Sequence, residues 1–333
     1  MRAVLCVMAA LTLTFVPAQA QTDALTGAGG TFPAPIYRKW IGSFEERNPG
    51  LPITYQAVGS EAGIQALERG EVDFAASDFP PGRGMQNEFA MRLIPTVVGA
   101  AVPAYNIPNL HRDLRFTPEL LAKIYLGKVT RWNDPQIKAL NHEARLPQEN
   151  IVVIHRLDGS GTSYVWTEFL SQASVEWREK VGASITPQWP TGQAADGNNG
   201  VADLIARTPY SIGYVEFIYA LQHRLDYGLV RNRAGNFVPA DIDTLTAAAS
   251  GAQPDSSGRI SIVNPSGPNA YPIASFTWLL VPAKIAPAKR QRLASFLDWA
   301  LSSGQREAAA LGYVALPAEI AERARALAVR LLQ

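Results

Sequence analysis

His155-Arg156-Leu157-Asp158-Gly159-Ser160-Gly161-Thr162-Ser163 is the stretch from which the fold can be read. The apolar run 151–154 leads into it, and a helical pattern of Val165, Trp166, Phe169 and Leu170 leaves it. That is a strand, a Gly/Ser-rich turn, then a helix. The first turn of such a helix has unpaired N–H groups and the positive end of the helix dipole. Gly159 and Gly161 let backbone approach a ligand closely, and Ser160, Thr162 and Ser163 offer hydroxyls. Arg156 adds a planar fork of donors suited to a tetrahedral oxyanion. Together these residues predict an anion cradle at a helix N-terminus.

The same pattern occurs twice upstream. Thr26-Gly27-Ala28-Gly29-Gly30-Thr31-Phe32-Pro33-Ala34-Pro35 follows a short strand and opens a helix with the stripe Ile36, Tyr37, Trp40, Ile41, Phe44, stopped by Asn48-Pro49-Gly50. A strand over 53–58 ends at Gly59-Ser60-Glu61-Ala62-Gly63, which opens a second helix carrying Ile64 and Leu67. A buried strand over 72–76 ends at Ser77-Asp78-Phe79-Pro80. In open α/β sheets, ligands sit at the carboxyl ends of strands. One helix capped by Ser or Thr is ordinary. Three such helix starts, joined by Arg156, Asp78 and Asp158, can hold a multivalent anion with mostly neutral donors.

Working outward, the apolar run 93–107, interrupted by Pro95 and Pro103, predicts a strand that crosses between domains. Thr117-Pro118 opens a helix with the inner face Leu121, Ile124, Tyr125. Residues 189–200 read as a Gly/Asn/Asp-rich loop before a short helix carrying Val201, Leu204 and Ile205. A strand over 211–215, loops over 252–258 and 264–269, and an apolar return strand over 273–281 follow, and helices around 289–302 and 317–332 finish the chain. The alternation predicts an α/β fold with mostly parallel sheets. Trp40, Trp166 and Trp299 fall on helical stripes and read as core.

Residues 1–20 read as a secretory signal: Arg2, an apolar stretch over 4–16, then Ala18-Gln19-Ala20 as the cleavage site. Cys6, the only cysteine, lies within it, too early and wrongly flanked for lipid attachment. The expected mature chain has 313 residues, long enough to bury the cores of two domains without disulfides. With Arg2 removed, 29 basic and 29 acidic residues remain, which argues against a general nucleic-acid or membrane-surface binder. Any anion binding must therefore be local. His111, His142, His155 and His223 are dispersed without metal-ligand spacing. There is no Walker phosphate loop, the segment at Gly27 lacks the third glycine of a dinucleotide fingerprint, and Ser160 is not in Gly-x-Ser-x-Gly. On strand geometry His155 faces away from Arg156, which disfavours it as a general base.

Segments 26–35, 55–63, 72–78 and 156–163 resemble the signature segments of the periplasmic phosphate-binding proteins of high-affinity phosphate ABC transporters, the PstS-like family. The resemblance extends in order through Ile124-Tyr125-Leu126-Gly127-Lys128, Trp132-Asn133-Asp134, Ile212-Gly213-Tyr214-Val215-Glu216 and Phe296-Leu297-Asp298-Trp299-Ala300. It implies a two-lobed α/β periplasmic-binding-protein fold, type II-like, with two inter-lobe crossings and one phosphate in the cleft between the lobes. Lobe 1 would comprise 21–103 plus 269–333, and lobe 2 would comprise 104–268.

By the same resemblance the phosphate-binding residues are Gly30, Thr31, Phe32, Ser60, Asp78, Arg156, Ser160, Gly161 and Thr162. Thr31 and Phe32 would give backbone N–H groups, with the Thr31 hydroxyl also reaching the ligand. Asp78 would accept the proton of bound phosphate, and Asp158 would pair with Arg156 from behind. Two departures stand out. The family usually has Ser-Ser-Gly-Gly where this chain has Ser60-Glu61-Ala62-Gly63, and Phe79-Pro80-Pro81 replaces the usual smaller residue after Asp78. Glu61 favours the helix dipole if it points outward and repels a dianion if it points inward. The implied protein is a non-enzymatic, soluble periplasmic receptor, a monomer when free, that delivers phosphate to the permease and ATPase subunits of an ABC transporter. It implies no metal, cofactor or nucleic acid. A phosphoester hydrolase on the same scaffold is the alternative, and an adhesion or signalling role a third.

Overall fold

The structure, a computed structural model, describes residues 24–79, 91–110, 112–253 and 260–330. The expected signal segment 1–20, His111, Pro80-Pro81 and most of the loop 252–258 lie outside the described residues. The chain begins β1 (Leu25–Gly29), α1 (Ala34–Arg47), β2 (Ile53–Ala57), α2 (Ser60–Glu68), β3 (Phe74–Ser77) and β4 (Met91–Asn106). Next come β5 (Arg115–Phe116), α3 (Pro118–Tyr125), α4 (Pro135–Leu140), β6 (Val152–Arg156), α5 (Gly161–Ala173), α6 (Val175–Lys180), β7 (Gln193–Ala195) and α7 (Gly197–Arg207). It continues with β8 (Ser211–Glu216), α8 (Phe217–Gln222), β9 (Asp226–Tyr227), β10 (Leu229–Arg231), β11 (Phe237–Val238) and α9 (Ile242–Ser250). β12 (Ala274–Pro282), α10 (Pro287–Ala300) and α11 (Ala318–Val329) complete it.

β1 lies between β2 and β3 and is parallel to both. α1 crosses from β1 to β2 because its stripe Ile36, Tyr37, Trp40, Ile41, Phe44 is buried, and a proline sits in its first turn, where a missing N–H costs nothing. It stops at Asn48, whose N–H and side-chain amide both donate to the Phe44 carbonyl, each at 2.9 Å.

β4 is the spine. It pairs antiparallel with β12 over residues 91–100, then with β8 over residues 101–106. One strand thus runs through both lobes. Val97, Val98, Ala100, Ala101, Val102 and Ala104 are fully buried, as expected of a strand covered on both faces. The register against β12 slips opposite Pro95, so the residue without an N–H falls at a bulge. In the second lobe β8 is followed by β6 and then β7, all parallel.

Two expectations need correction. The sheet is mixed rather than mostly parallel: β12 is antiparallel to both neighbours, and β4 to β8, β9 and β12. β4 carries the chain from the first lobe to the second, and β12 receives it on its return. Adjacent strands serving opposite crossings must run in opposite directions. Residues 189–200 are not a plain loop either, since β7 adds an edge strand to β6 and α7 begins at Gly197. A three-residue, mostly exposed strand has too little alternation to read in sequence.

Beneath the second lobe's cleft, the rings of Tyr125, Trp166, Trp177, Trp189 and Tyr214 pack with neighbouring centroids 5.1–6.5 Å apart. This cluster ties α3, α5 and α6 to β8, and so fixes the floor on which the cradle stands. Each such ring pair adds about 0.5–1.5 kcal/mol beyond its area burial.

Candidate functional site

β1, β3, β6 and β8 all end at one cleft, and the helices that follow β1, β2 and β6 start there. α5 is capped by Ser160, whose hydroxyl accepts the Ser163 N–H at 3.1 Å. α2 has no side-chain cap, because Gly59 precedes it with φ of 96°. Glycine is required there twice over: the backbone is left-handed, and a Cβ would lie 2.5 Å from Asp158 Oδ2. The start of α2 instead meets the other lobe. The Glu61 N–H donates to the Gly159 carbonyl at 3.1 Å, and the Gly161 N–H to the Ser60 hydroxyl at 3.1 Å. The Phe79 and Tyr164 rings also meet across the cleft, 4.5 Å between centroids. The two lobes are closed on each other.

The Asp78 carboxyl sits at the centre of this junction, 1% exposed. Its Oδ1 accepts the Thr277 hydroxyl at 2.7 Å, while its Oδ2 is buried without a hydrogen-bond partner. That free oxygen would lie 3.2 Å from a Cβ on Gly30 and 2.7 Å from one on Gly161, so both glycines hold space open beside it. Burial pushes the Asp78 carboxyl up to about 7, against the opposing pull of the Thr277 hydroxyl and the Arg156 charge. An unpaired acceptor in so dry a place is costly unless something donates to it.

Arg156 brings the positive charge. Its side chain is 1% exposed, at the end of β6, and its backbone N–H is held by the Tyr214 hydroxyl at 3.2 Å. Nε donates to Asp158 Oδ1 at 2.7 Å and Nη2 to Asp158 Oδ2, while Nη1 points at the Thr162 hydroxyl at 3.4 Å. Burial acts to raise the Asp158 carboxyl, but the Arg156 fork and the Gly197 N–H, 3.0 Å away, outweigh it and hold the group below the usual carboxylate range. The pair therefore stays ionised and aims Nη1 along the cradle.

Thr31 and Phe32 lie at the turn into α1. The Thr31 carbonyl accepts the Tyr219 hydroxyl at 2.7 Å and the Phe32 carbonyl accepts the Tyr313 hydroxyl at 2.5 Å. Among the described residues, the Thr31, Phe32 and Thr162 amides donate to no protein acceptor. The Gly30 N–H is already committed to the Ala76 carbonyl at 2.8 Å, so its contribution is the missing side chain. Ser163 is withdrawn as well, its hydroxyl paired with the Tyr214 hydroxyl at 2.6 Å. Thr31, Ser60, Asp78, Arg156, Ser160, Gly161 and Thr162 are all buried around the same junction. Glu61 lies over Gly159, where an added Cβ would come within 2.0 Å of Oε2. His155 stacks on Trp189 at 4.9 Å, on the face of β6 away from Arg156. No group of three His, Cys, Asp or Glu side chains is placed to hold a metal among the described residues. Beside the junction a cavity of about 780 Å³ opens outward, with Thr31 and Asp158 at its inner wall and Arg38 and Lys39 on α1 lining it too.

The geometry is a dry, closed, two-sided set of hydrogen-bond donors around one unpaired carboxylate oxygen. Known proteins resemble the chain over most of its length. A phosphate-binding protein PstS from Haemophilus influenzae is 40% identical over 93% of this chain and 93% of its own length. The chain belongs to the PstS family of phosphate-binding proteins. A second PstS, from Pasteurella multocida, is 39% identical over 92% of this chain and 90% of its own. A PBP superfamily domain profile matches residues 16–304. A solved phosphate-binding protein from Stenotrophomonas maltophilia superposes with a TM-score of 0.72, at 18% identity, over 91% of this chain and 93% of that one. The family fold is therefore the two-lobed periplasmic-binding fold that the segments of sequence implied.

Several residues of the site have no counterpart in the sequence reading. Thr277, which holds Asp78, sits in an apolar strand. Its signal is the period-two polar pair Ser275 and Thr277 within β12. Tyr219 and Tyr313 hold the Thr31–Phe32 turn from remote elements and carry no local signal. Asn198 has no local signal that separates it from its neighbours in the Gly/Asn-rich segment, yet it is fully buried and bonded to Thr31 in the other lobe.

Proposed function

We propose that this protein is the phosphate receptor of an ABC transporter. It binds inorganic phosphate between its lobes and hands it to the permease and ATPase subunits. The observation that carries this reading is Asp78 Oδ2, buried and unpaired beside Gly30 and Gly161. An ionised carboxylate only accepts. Phosphate near neutral pH keeps a proton to give it, and sulfate of the same shape does not. Around the anion, Thr31, Phe32, Ser60, Ser160 and Thr162 donate from backbone or hydroxyl, Arg156 supplies the charge, and Asp158 steadies Arg156. Gly30 and Gly161, whose N–H groups are already committed to Ala76 and Ser60, leave room. The lobes are 21–103 plus 269–333 and 104–268, with β4 and the segment leading into β12 as the crossings. Ligand that touches both lobes favours the closed state by its differential affinity.

A receptor is favoured over a phosphoester hydrolase because, among the described residues, no histidine is paired with a cradle hydroxyl: His155 lies against Trp189. Residues 1–20 would direct export and be removed, leaving a periplasmic monomer. Among the described residues no helix is long and apolar enough to cross a membrane. The test is equilibrium binding of labelled phosphate, with sulfate as competitor at neutral pH. Phosphate should bind and a large excess of sulfate should not displace it. Sulfate competing at comparable concentration would remove Asp78 as the proton reader. A site requiring a ligand proton can reject a look-alike without one by about 10⁴–10⁵-fold.

A further inference from the structure

We propose that Asn198 sets the direction of the Thr31 and Thr162 hydroxyl protons, making both threonines obligate donors to the bound anion, and that for Thr31 it does so only when the lobes are closed. This rests on the phosphate-receptor reading above and deepens it. Asn198 stands at the start of α7 and is fully buried. Its amide orientation is fixed by an acceptor requirement: the Glu216 N–H, a backbone donor, points at Oδ1 from 2.8 Å. Nδ2 must then face the other way. Its two hydrogens go to the Thr31 hydroxyl oxygen at 2.9 Å and the Thr162 hydroxyl oxygen at 3.1 Å. The Asn198 backbone N–H adds a second bond to Thr31 Oγ1 at 3.1 Å. Every donor and acceptor of the residue's side chain is accounted for.

A hydroxyl has one proton and two lone pairs. Both lone pairs of Thr31 Oγ1 are filled by Asn198. Those of Thr162 Oγ1 face Asn198 Nδ2 and, more distantly, Arg156 Nη1 at 3.4 Å. Neither hydroxyl donates to a protein group among the described residues, so each proton is left for the cleft. A free hydroxyl could turn a lone pair toward an anion as readily as its proton. Asn198 removes that choice. Thr31 belongs to the first lobe while Asn198 and Thr162 belong to the second, so opening the lobes would take both donors from Thr31. The anchoring is shared with Arg156: Asp158 accepts the Gly197 N–H next to Asn198 at 3.0 Å while gripping the guanidinium.

The test is a double-mutant cycle on phosphate affinity, with the apo melting temperature followed separately. Asn198→Asp keeps the shape and the acceptor for Glu216 but replaces two donors with an acceptor, so both hydroxyl protons turn away from the cleft. Thr31→Val in the wild-type background should weaken phosphate binding about 10–100-fold, the range for a hydrogen bond to a charged group. In the Asn198→Asp background the same substitution should cost less than about 3-fold, since that hydroxyl no longer serves the anion. Any repulsion from the new carboxylate acts on both arms and cancels. Asn198→Ala, which frees the hydroxyls without adding charge, should also shrink the Thr31→Val loss, and it stands in if the aspartate variant does not fold. Losses that multiply independently overturn the inference and leave Asn198 a purely structural bridge. A wild-type protein that binds no phosphate removes the receptor reading, and this inference with it.

Discussion

At the scale of single residues, Asp78 keeps one carboxyl oxygen buried and unpaired, and Arg156 is held in place by Asp158. Asp78 is raised to about 7 chiefly by burial, so in the empty protein its proton is held more tightly than in the unfolded chain. The folded state binds more protons than the unfolded one between pH ~4 and ~7. Apo stability should therefore fall as pH rises through that window, by on the order of 4 kcal/mol in full. Asp78→Asn should flatten the dependence: its melting temperature relative to wild type should be higher at pH 8 than at pH 4.5. Equal differences at both pH values would show that the carboxyl titrates normally. The same protonation has a consequence for selectivity. Below pH ~7 the protonated Asp78 can donate, so sulfate should compete better at pH 5.5 than at pH 8. For Arg156, replacement by alanine leaves the half-buried Asp158 without its partner and removes the charge at the cradle. Phosphate affinity should drop by about 2–5 kcal/mol, and lysine should restore only part of it, because an ammonium cannot reproduce the fork. Near-native affinity in Arg156→Ala would make the residue a scaffold only.

At the scale of elements, the two helix starts that meet across the cleft, α2 and α5, are shaped by what they lack. A Cβ on Gly161 would stand 2.6 Å from the Ser60 hydroxyl and 2.7 Å from Asp78 Oδ2, both in the other lobe. Gly161→Ala should thus leave α5 itself intact, since alanine is the better helix former, and yet hold the lobes apart. The expected result is an unchanged or slightly raised apo melting temperature together with phosphate affinity weakened by about 1–3 kcal/mol, the usual cost of overpacking. Equal affinity would mean the cradle has slack that the closed geometry does not show. α5 and α1 were legible in sequence because apolar periodicity, a cap and a stop are all local. β7 was not, because it is too short to show a period.

At the scale of the whole molecule, the lobes are joined through β4 and the segment leading into β12, and closed by one ring pair, Phe79 on Tyr164, and a few polar contacts: Ser60 to Gly161, Glu61 to Gly159, Thr31 to Asn198 and Tyr219. Contacts of this kind are individually worth about 0.5–1.5 kcal/mol, so without ligand they hold closure only weakly. Small-angle scattering should show a smaller radius of gyration with saturating phosphate than without. Identical curves would rule out hinge closure as the response to ligand. Trp166 should report little of this event, because it is fully buried within the second lobe's own aromatic cluster.

The sequence by itself determined the helix starts, the apolar crossing strand, the neutral charge balance and the family signature. Each depends on residues adjacent in the chain, where capping, periodicity and composition act. It placed Arg156 and Asp158 together for the same reason, two residues apart on one turn. Only the tertiary structure decided which groups meet across the cleft. Gly161 finds Ser60 across 101 residues, Asn198 finds Thr31 across 167, and Thr277 finds Asp78 across 199. No local pattern encodes such pairings. They follow from two crossings running in opposite directions between the lobes, which bring the ends of β3, β6 and β12 and the start of α7 to one buried point.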